Sequence, residues 1–191
     1  MHDAQNLFDD ATAYAGEWKV DETLDALSKE GKLELIVVGI DNGGDKRMTE
    51  LNAWDSARFG QAEGKQYTDF VVKTLKPMID SQYRTLPDRA NTAIMGSSMG
   101  GLASHYAIAQ YPQVFSKAGV FSPAYWTAAP SFEFMAAHPL PKDARVYLLA
   151  GMNWVILERL DLARPFFEEA VRLAPGDGLM QYHLGRFYYS A

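Results

Sequence analysis

The sequence predicts an α/β fold, a parallel sheet flanked by helices, followed by a purely helical C-terminal segment. Three observations predict it. Apolar runs rich in β-branched residues alternate with helix-length segments through about residue 150. One run leads directly into Gly96-Ser97-Ser98-Met99-Gly100 and then into a helical stretch. Beyond Ala150 strand signals cease, and apolar residues recur at helical spacing alone.

The elements follow in chain order. Leu33-Glu34-Leu35-Ile36-Val37-Val38-Gly39-Ile40 is nearly all apolar, as expected of a strand buried on both faces, and it stops at the turn cluster Asp41-Asn42-Gly43-Gly44. Tyr67 to Tyr83 carries Phe70, Val71, Leu75, Met78 and Ile79 at helical spacing, with a bend expected at Pro77. A short strand over Thr92–Met95 precedes the Gly-x-Ser-x-Gly turn, and the helix after it runs to about Gln110. Strands are expected at Ala118–Phe121 and Ala144–Leu149, parallel to the first two. Trp154, Leu157, Leu160, Ala163, Phe167, Ala170 and Leu173 then follow a helical period to Pro175-Gly176-Asp177-Gly178, and a second helix is expected from Leu179 to Tyr189.

Composition excludes several classes. The 191 residues are 48% hydrophobic and 22% charged, which is globular rather than disordered. Eighteen basic against 24 acidic residues give a net charge of −6, so a nucleic-acid partner is not expected. No run approaches the ~18 apolar residues that span a bilayer, and Met1-His2-Asp3-Ala4-Gln5 has no signal-peptide pattern. The chain is therefore expected in the cytoplasm, away from membranes. With no cysteine there is neither a disulfide nor a thiolate metal site, and no cofactor or metal is expected.

The most informative stretch is Thr92 to Gly101. A serine between a strand and a helix, flanked by glycines, has the pattern of a nucleophile elbow. Side chains at Gly96 and Gly100 would collide with neighbouring backbone. The helix N-terminus behind Ser98 offers oriented N–H groups and a positive dipole end to developing negative charge.

Several segments together resemble the putative-esterase branch of the α/β-hydrolase superfamily, which includes enterochelin-esterase-like hydrolases. They are Met1–Asp9, Val38–Gly43, Pro77–Asp80, Tyr83–Thr85, the elbow, and Phe121-Ser122-Pro123-Ala124-Tyr125-Trp126, in the family's order over residues 1–150. The family usually has glycine where this chain has Ala4. The resemblance implies a carboxylic ester hydrolase acting on a small-molecule ester, with Ser98 attacking the acyl carbon. It also implies an oxyanion hole from the backbone N–H of Met99 and that of Ala4 or Gln5, with Arg47 and Glu50 as possible substrate contacts.

The rest of a triad does not follow. In this superfamily an acid and then a histidine succeed the serine. His105 lies two turns along the elbow helix, His138 enters the Ala144–Leu149 strand from the wrong end of the sheet, and His183 is in the C-terminal helices. After the last strand come Met152-Asn153-Trp154 where the family keeps its carboxylate; Glu158 and Asp161 are the nearest acids beyond.

Residues 151–191 have a resemblance of their own. Gly151, Trp154, Ala163, Phe167, Ala170 and Pro175 are similar to a tetratricopeptide repeat, and Leu184-Gly185 and Tyr188 open a second about 34 residues on. Met1 corresponds to the end of a family strand that lies between the Leu33–Ile40 strand and the elbow strand. A defect or exposed edge is expected there, with a start codon upstream or a fragment as its explanation. Three readings follow: an esterase lineage inactive or impaired in this chain, an esterase with a substitute base such as Glu158 or a residue of another subunit, and a non-catalytic module that binds a protein partner through its tetratricopeptide-like tail.

Overall fold

The computed structural model describes residues 1–14 and 16–149. The expected tetratricopeptide-like helices, with Glu158, Asp161 and His183, lie outside the described residues. Three parallel strands, β1 (Ala93–Ser97), β2 (Lys117–Phe121) and β3 (Arg145–Leu149), form a sheet in that order. The register pairs Met95 with Gly119 and Gly119 with Tyr147. The described helices are α1 (Val20–Lys29), α2 (Arg47–Glu50), α3 (Gly64–Phe70), α4 (Lys76–Gln82), α5 (Met99–Gln110) and α6 (Ser131–Ala137). Among them none is long and apolar enough to cross a membrane.

Helix α5 explains why the core sits where it does. Ten of its 12 residues are buried, including Leu102, Ala103, Ala107 and Ile108, which pack on Ile94, Ala118 and Val120 of the sheet. A helix apolar on all sides belongs in the interior, and α5 is enclosed between the sheet and Tyr67, Val71, Phe115 and Tyr125. Its threading from the end of β1 therefore fixes the turn at Ser97–Met99 against a rigid body.

The expected strand over Leu33–Ile40 does not form. Only its end pairs: Ile40 makes an isolated parallel bridge to His2, donating its N–H to Met1 O at 2.9 Å and accepting from Ala4 N–H at 3.0 Å. On its other side, His2 donates its N–H to Met95 O of β1 at 3.1 Å. Met1–Asp3 thus lies between the Ile40 segment and β1. A strand is stabilised by a partner ladder, and residues 33–37 have none among the described residues. Leu33, Leu35 and Ile36 are exposed, the last two by more than half.

The helix expected over Tyr67–Tyr83 forms in three pieces. Between α3 and α4 the turn over Val71–Leu75 widens to a π-helix. Pro77 lacks an N–H, and its ring crowds the carbonyl four residues back, at Lys73, so a wider turn accommodates it. Tyr67 and Val71 face the core, whereas Phe70 and Met78, which matched the apolar spacing, are exposed.

His2 is buried with 3% of its surface exposed, and its Nδ1 lies 2.7 Å from the Tyr67 hydroxyl. Its Nε2 has no hydrogen-bond partner among the described residues. Burial, followed by the neighbouring α-amino group, lowers its pKa from 6.5 to about 3, against the pull of Asp3. His2 is therefore neutral in the folded chain. Below pH 6.5 the unfolded chain takes up a proton that the folded one refuses, so this contribution is complete above pH 6.5 and shrinks as pH falls toward 3. At about 1.4 kcal/mol per pH unit, urea denaturation at pH 7 and 4.5 should show the wild type losing about 2.5 kcal/mol more than His2→Gln. Equal losses in the two proteins would mean that His2 is charged in the fold.

Gly64 opens α3 where the chain crosses Asn52. A Cβ there would lie 2.4 Å from the Asn52 carbonyl carbon and oxygen, atoms held by the Gly64 N–H to Asn52 O bond of 2.8 Å. Gly64→Ala should therefore cost about 1–3 kcal/mol despite alanine's better helix propensity. Thermal unfolding should show a midpoint several degrees lower; an unchanged midpoint would refute the close crossing.

Candidate active site

Ser98 sits at the carboxyl end of β1, one residue before α5, with φ 56° and ψ −116°. That backbone conformation is unfavourable for a residue with a Cβ and costs about 1–3 kcal/mol, so the surroundings must impose it. They do so through three backbone bonds. Ser98 N–H donates to Phe121 O at 2.9 Å, and Ser98 O accepts from Leu102 N–H and Ala124 N–H, each at 3.0 Å. The glycines allow the approach: a Cβ on Gly96 would meet the backbone of Gly100 at 2.7 Å, and one on Gly101 would meet Phe121 O at 2.7 Å. At Gly100 the obstruction is different from the expected backbone collision. A Cβ there would meet side chains, His2 Cβ at 3.0 Å and Asp3 Oδ2 at 3.1 Å.

The turn Asp3–Asn6 therefore lies against the first turn of α5. Asp3 is buried in the left-handed conformation, φ 58° and ψ 53°, ahead of a 3-10 turn over Ala4–Asn6. Its carboxylate accepts a two-pronged bond from Arg47, Nε to Oδ1 at 2.7 Å and Nη2 to Oδ2 at 2.9 Å, and a third from Asn42 Nδ2 at 2.7 Å. Burial by itself would raise the Asp3 pKa; the hydrogen bonds and charge of Arg47, with Asn42, outweigh it and hold the carboxyl below its ordinary value.

The sequence-derived site residues separate on this geometry. Ser98 and Met99 stand together at the strand–helix turn. Ala4 is corrected as an oxyanion donor, because its N–H is donated to Ile40 O. Gln5 is left of that pair; its side chain exchanges bonds with the Asn42 backbone, Nε2 to O at 3.0 Å and Asn42 N–H to Oε1 at 3.2 Å. Arg47 is turned inward to Asp3, and Glu50 accepts the Gly43 N–H at 2.7 Å, so both expected substrate contacts have partners within the chain. Asp3 and Asn42 belong to the matched motifs but had no assigned role. Their pairing spans 39 residues and leaves no local sequence signal.

Among the described residues no histidine is hydrogen-bonded to Ser98. His105 pairs its Nδ1 with the Tyr125 hydroxyl at 2.7 Å, and burial lowers its pKa to about 4. His138 closes α6, exposed, with Nδ1 2.8 Å from Phe134 O. Beyond Ala124 the chain turns at Tyr125–Thr127 and presents Trp126, 41% exposed, edge-on to Phe59 with ring centroids 5.8 Å apart.

Comparison with known proteins agrees with this architecture. The chain is 26% identical to the uncharacterized protein YbbA of Bacillus subtilis (strain 168), over 68% of this chain and 54% of that protein. It thus spans about half the length of this curated relative. The crystal structure of the BES protein from Bacillus cereus superposes with a TM-score of 0.59 at 16% identity, over 83% of this chain and 67% of that one, a likeness of fold. The profile of the family described as Putative esterase matches residues 3–175, running on past the segment where the tetratricopeptide resemblance begins. The chain belongs to the Putative esterase family.

Proposed function

We propose that the chain is a carboxylic ester hydrolase by descent, that Ser98 is its nucleophile, and that the general base limits its turnover. The observation that carries this reading is the imposed backbone of Ser98 at the head of α5, in a chain of an esterase family. The Ser98 oxygen attacks the ester carbonyl carbon while its proton passes to a base. The tetrahedral oxyanion collapses with loss of the alcohol, and water then hydrolyses the acyl-serine. The N–H of Met99 and that of Gln5 would receive the oxyanion, a contribution worth about 10²–10³ in rate for one such donor.

The base is the weak point. A neutral serine is a poor nucleophile, and the histidines among the described residues, His2, His105 and His138, each have Nδ1 partners other than Ser98. Without its base a serine site retains only about 10³–10⁴-fold catalysis over water, from the oxyanion hole and binding. Hydrolysis of p-nitrophenyl butyrate should therefore be slow and change less than about twofold in Ser98→Ala. Added imidazole, a diffusible base, should raise the wild-type rate several-fold beyond its own solution catalysis and leave Ser98→Ala unaffected. Equal stimulation of both proteins would sink Ser98 as nucleophile. Fast turnover without imidazole, lost in Ser98→Ala, would keep the nucleophile and overturn the missing base.

A further inference from the structure

The ion pair beside the elbow, with Asp3 buried and Arg47 partly exposed, has no part in the ester chemistry proposed above. A carboxylate taken out of water is costly unless it is paired, and a two-pronged pair with an arginine fixes geometry tightly. What this pair fixes is the backbone of one turn. Asp3 adopts a left-handed conformation that a residue with a Cβ rarely takes, and its carboxylate is held by Arg47 from α2 and by Asn42. The next residues are tied to the same anchor. Ala4 N–H is bound to Ile40 O, and the Gln5 amide is paired both ways with the backbone of Asn42. Asn42 is itself set in its turn, with its Oδ1 accepting the Gly44 N–H at 3.0 Å.

The fixed turn lies two residues from the nucleophile along α5, with the Asp3 carboxylate 3.1 Å from where a Cβ on Gly100 would stand. A side chain at that position would push the carboxylate back by a few tenths of an ångström.

We propose that Asp3 is a positioning residue. Clamped by Arg47 and Asn42, it holds the Asp3–Gln5 turn against the first turn of α5, so that the Gln5 N–H stands opposite the Met99 N–H across the reacting carbonyl. Arg47 then acts on the reaction through Asp3 and not by touching the substrate. This rests on the reading of Ser98 given above. Because the clamp acts on an oxyanion donor, its loss weakens the transition state and leaves ester binding unchanged, which separates it from a substrate-binding arginine.

The test uses the full chain, p-nitrophenyl butyrate and added imidazole, with Asp3→Asn, Arg47→Lys and Arg47→Ala beside Ser98→Ala. Asp3→Asn keeps shape and removes charge; Arg47→Lys keeps charge and removes the fork. Each should lower the imidazole-supported kcat about tenfold or more with KM within twofold. Asp3→Asn and Arg47→Ala should be non-additive in the double variant, as members of one unit are. Amide hydrogen exchange read by NMR should show faster exchange at residues 4–7 in these variants and unchanged exchange in the middle of α5. A rise in KM at constant kcat would make Arg47 a substrate contact and overturn the proposal. So would unchanged exchange at residues 4–7. If Arg47→Ala fails to fold, Asp3→Asn and Arg47→Lys decide the matter. If imidazole gives no Ser98-dependent rate, the reading of Ser98 has failed, and exchange at residues 4–7 still shows whether the ion pair sets the turn.

Discussion

The approach of strand β1 to helix α5, with Gly96 against Gly100, is the constraint on which the rest of this site depends. A parallel strand that enters a buried helix after a single residue must reverse within a space that admits no Cβ at Gly96. Ser98 therefore takes its unfavourable backbone, and the ends of β2 and of the following loop supply the bonds that keep it there. The apolar embedding of α5 makes the arrangement rigid. Its Leu102 and Ile108 have no exposed surface, so the helix cannot tilt to relax the turn without opening the core.

Around this turn the protein uses two kinds of stabilisation. The sheet side is apolar and backbone-bonded, with β1, β2 and β3 in register over five residues each. The opposite side, built from Met1–Asn6 and residues 38–50, is held by polar contacts: an ion pair, two carboxamides and a buried imidazole. Polar contacts are directional where apolar packing is not, so this side specifies one loop conformation.

Much of this was legible in the sequence, for identifiable reasons. β2 and α5 follow from short-range pattern because each buries apolar residues within one continuous element, while β1 and β3 follow from short β-branched or apolar runs, β3 with none of its residues fully buried. The turn at Ser98 was legible because two glycines and the strand–helix context are local. The strand at Leu33–Ile40 failed because apolar content predicts burial, while a strand also requires a neighbour for its backbone, and only Ile40 bridges to one. Phe70 and Met78 matched a helical period that the π-turn at Val71–Leu75 interrupts, and both are exposed. Arg47 and Glu50 were recognisable as charged residues near the site. Their intramolecular partners, Asp3 and Gly43, are set by tertiary approach across 44 and 7 residues, and no spacing rule anticipates them.

The widened turn at Val71–Leu75 carries a consequence for how this segment tolerates insertions and deletions. A π-turn holds one residue more than the α-helix around it, and each residue of an α-helix advances the chain by about 100°. Removing one residue there would restore an unbroken ladder and leave α4 in nearly the same rotation, because the wider turn already absorbs the extra residue. Lys76 and Asp80, which now pair at 2.6 Å and place Lys76 against Pro87 O and Asp80 against Thr85, would keep facing the same side of the molecule. A deletion inside the regular turns of α3 would instead rotate α4 by about 100° and pull those anchors away. Relatives that differ by one residue in this segment should therefore carry the difference within the wide turn.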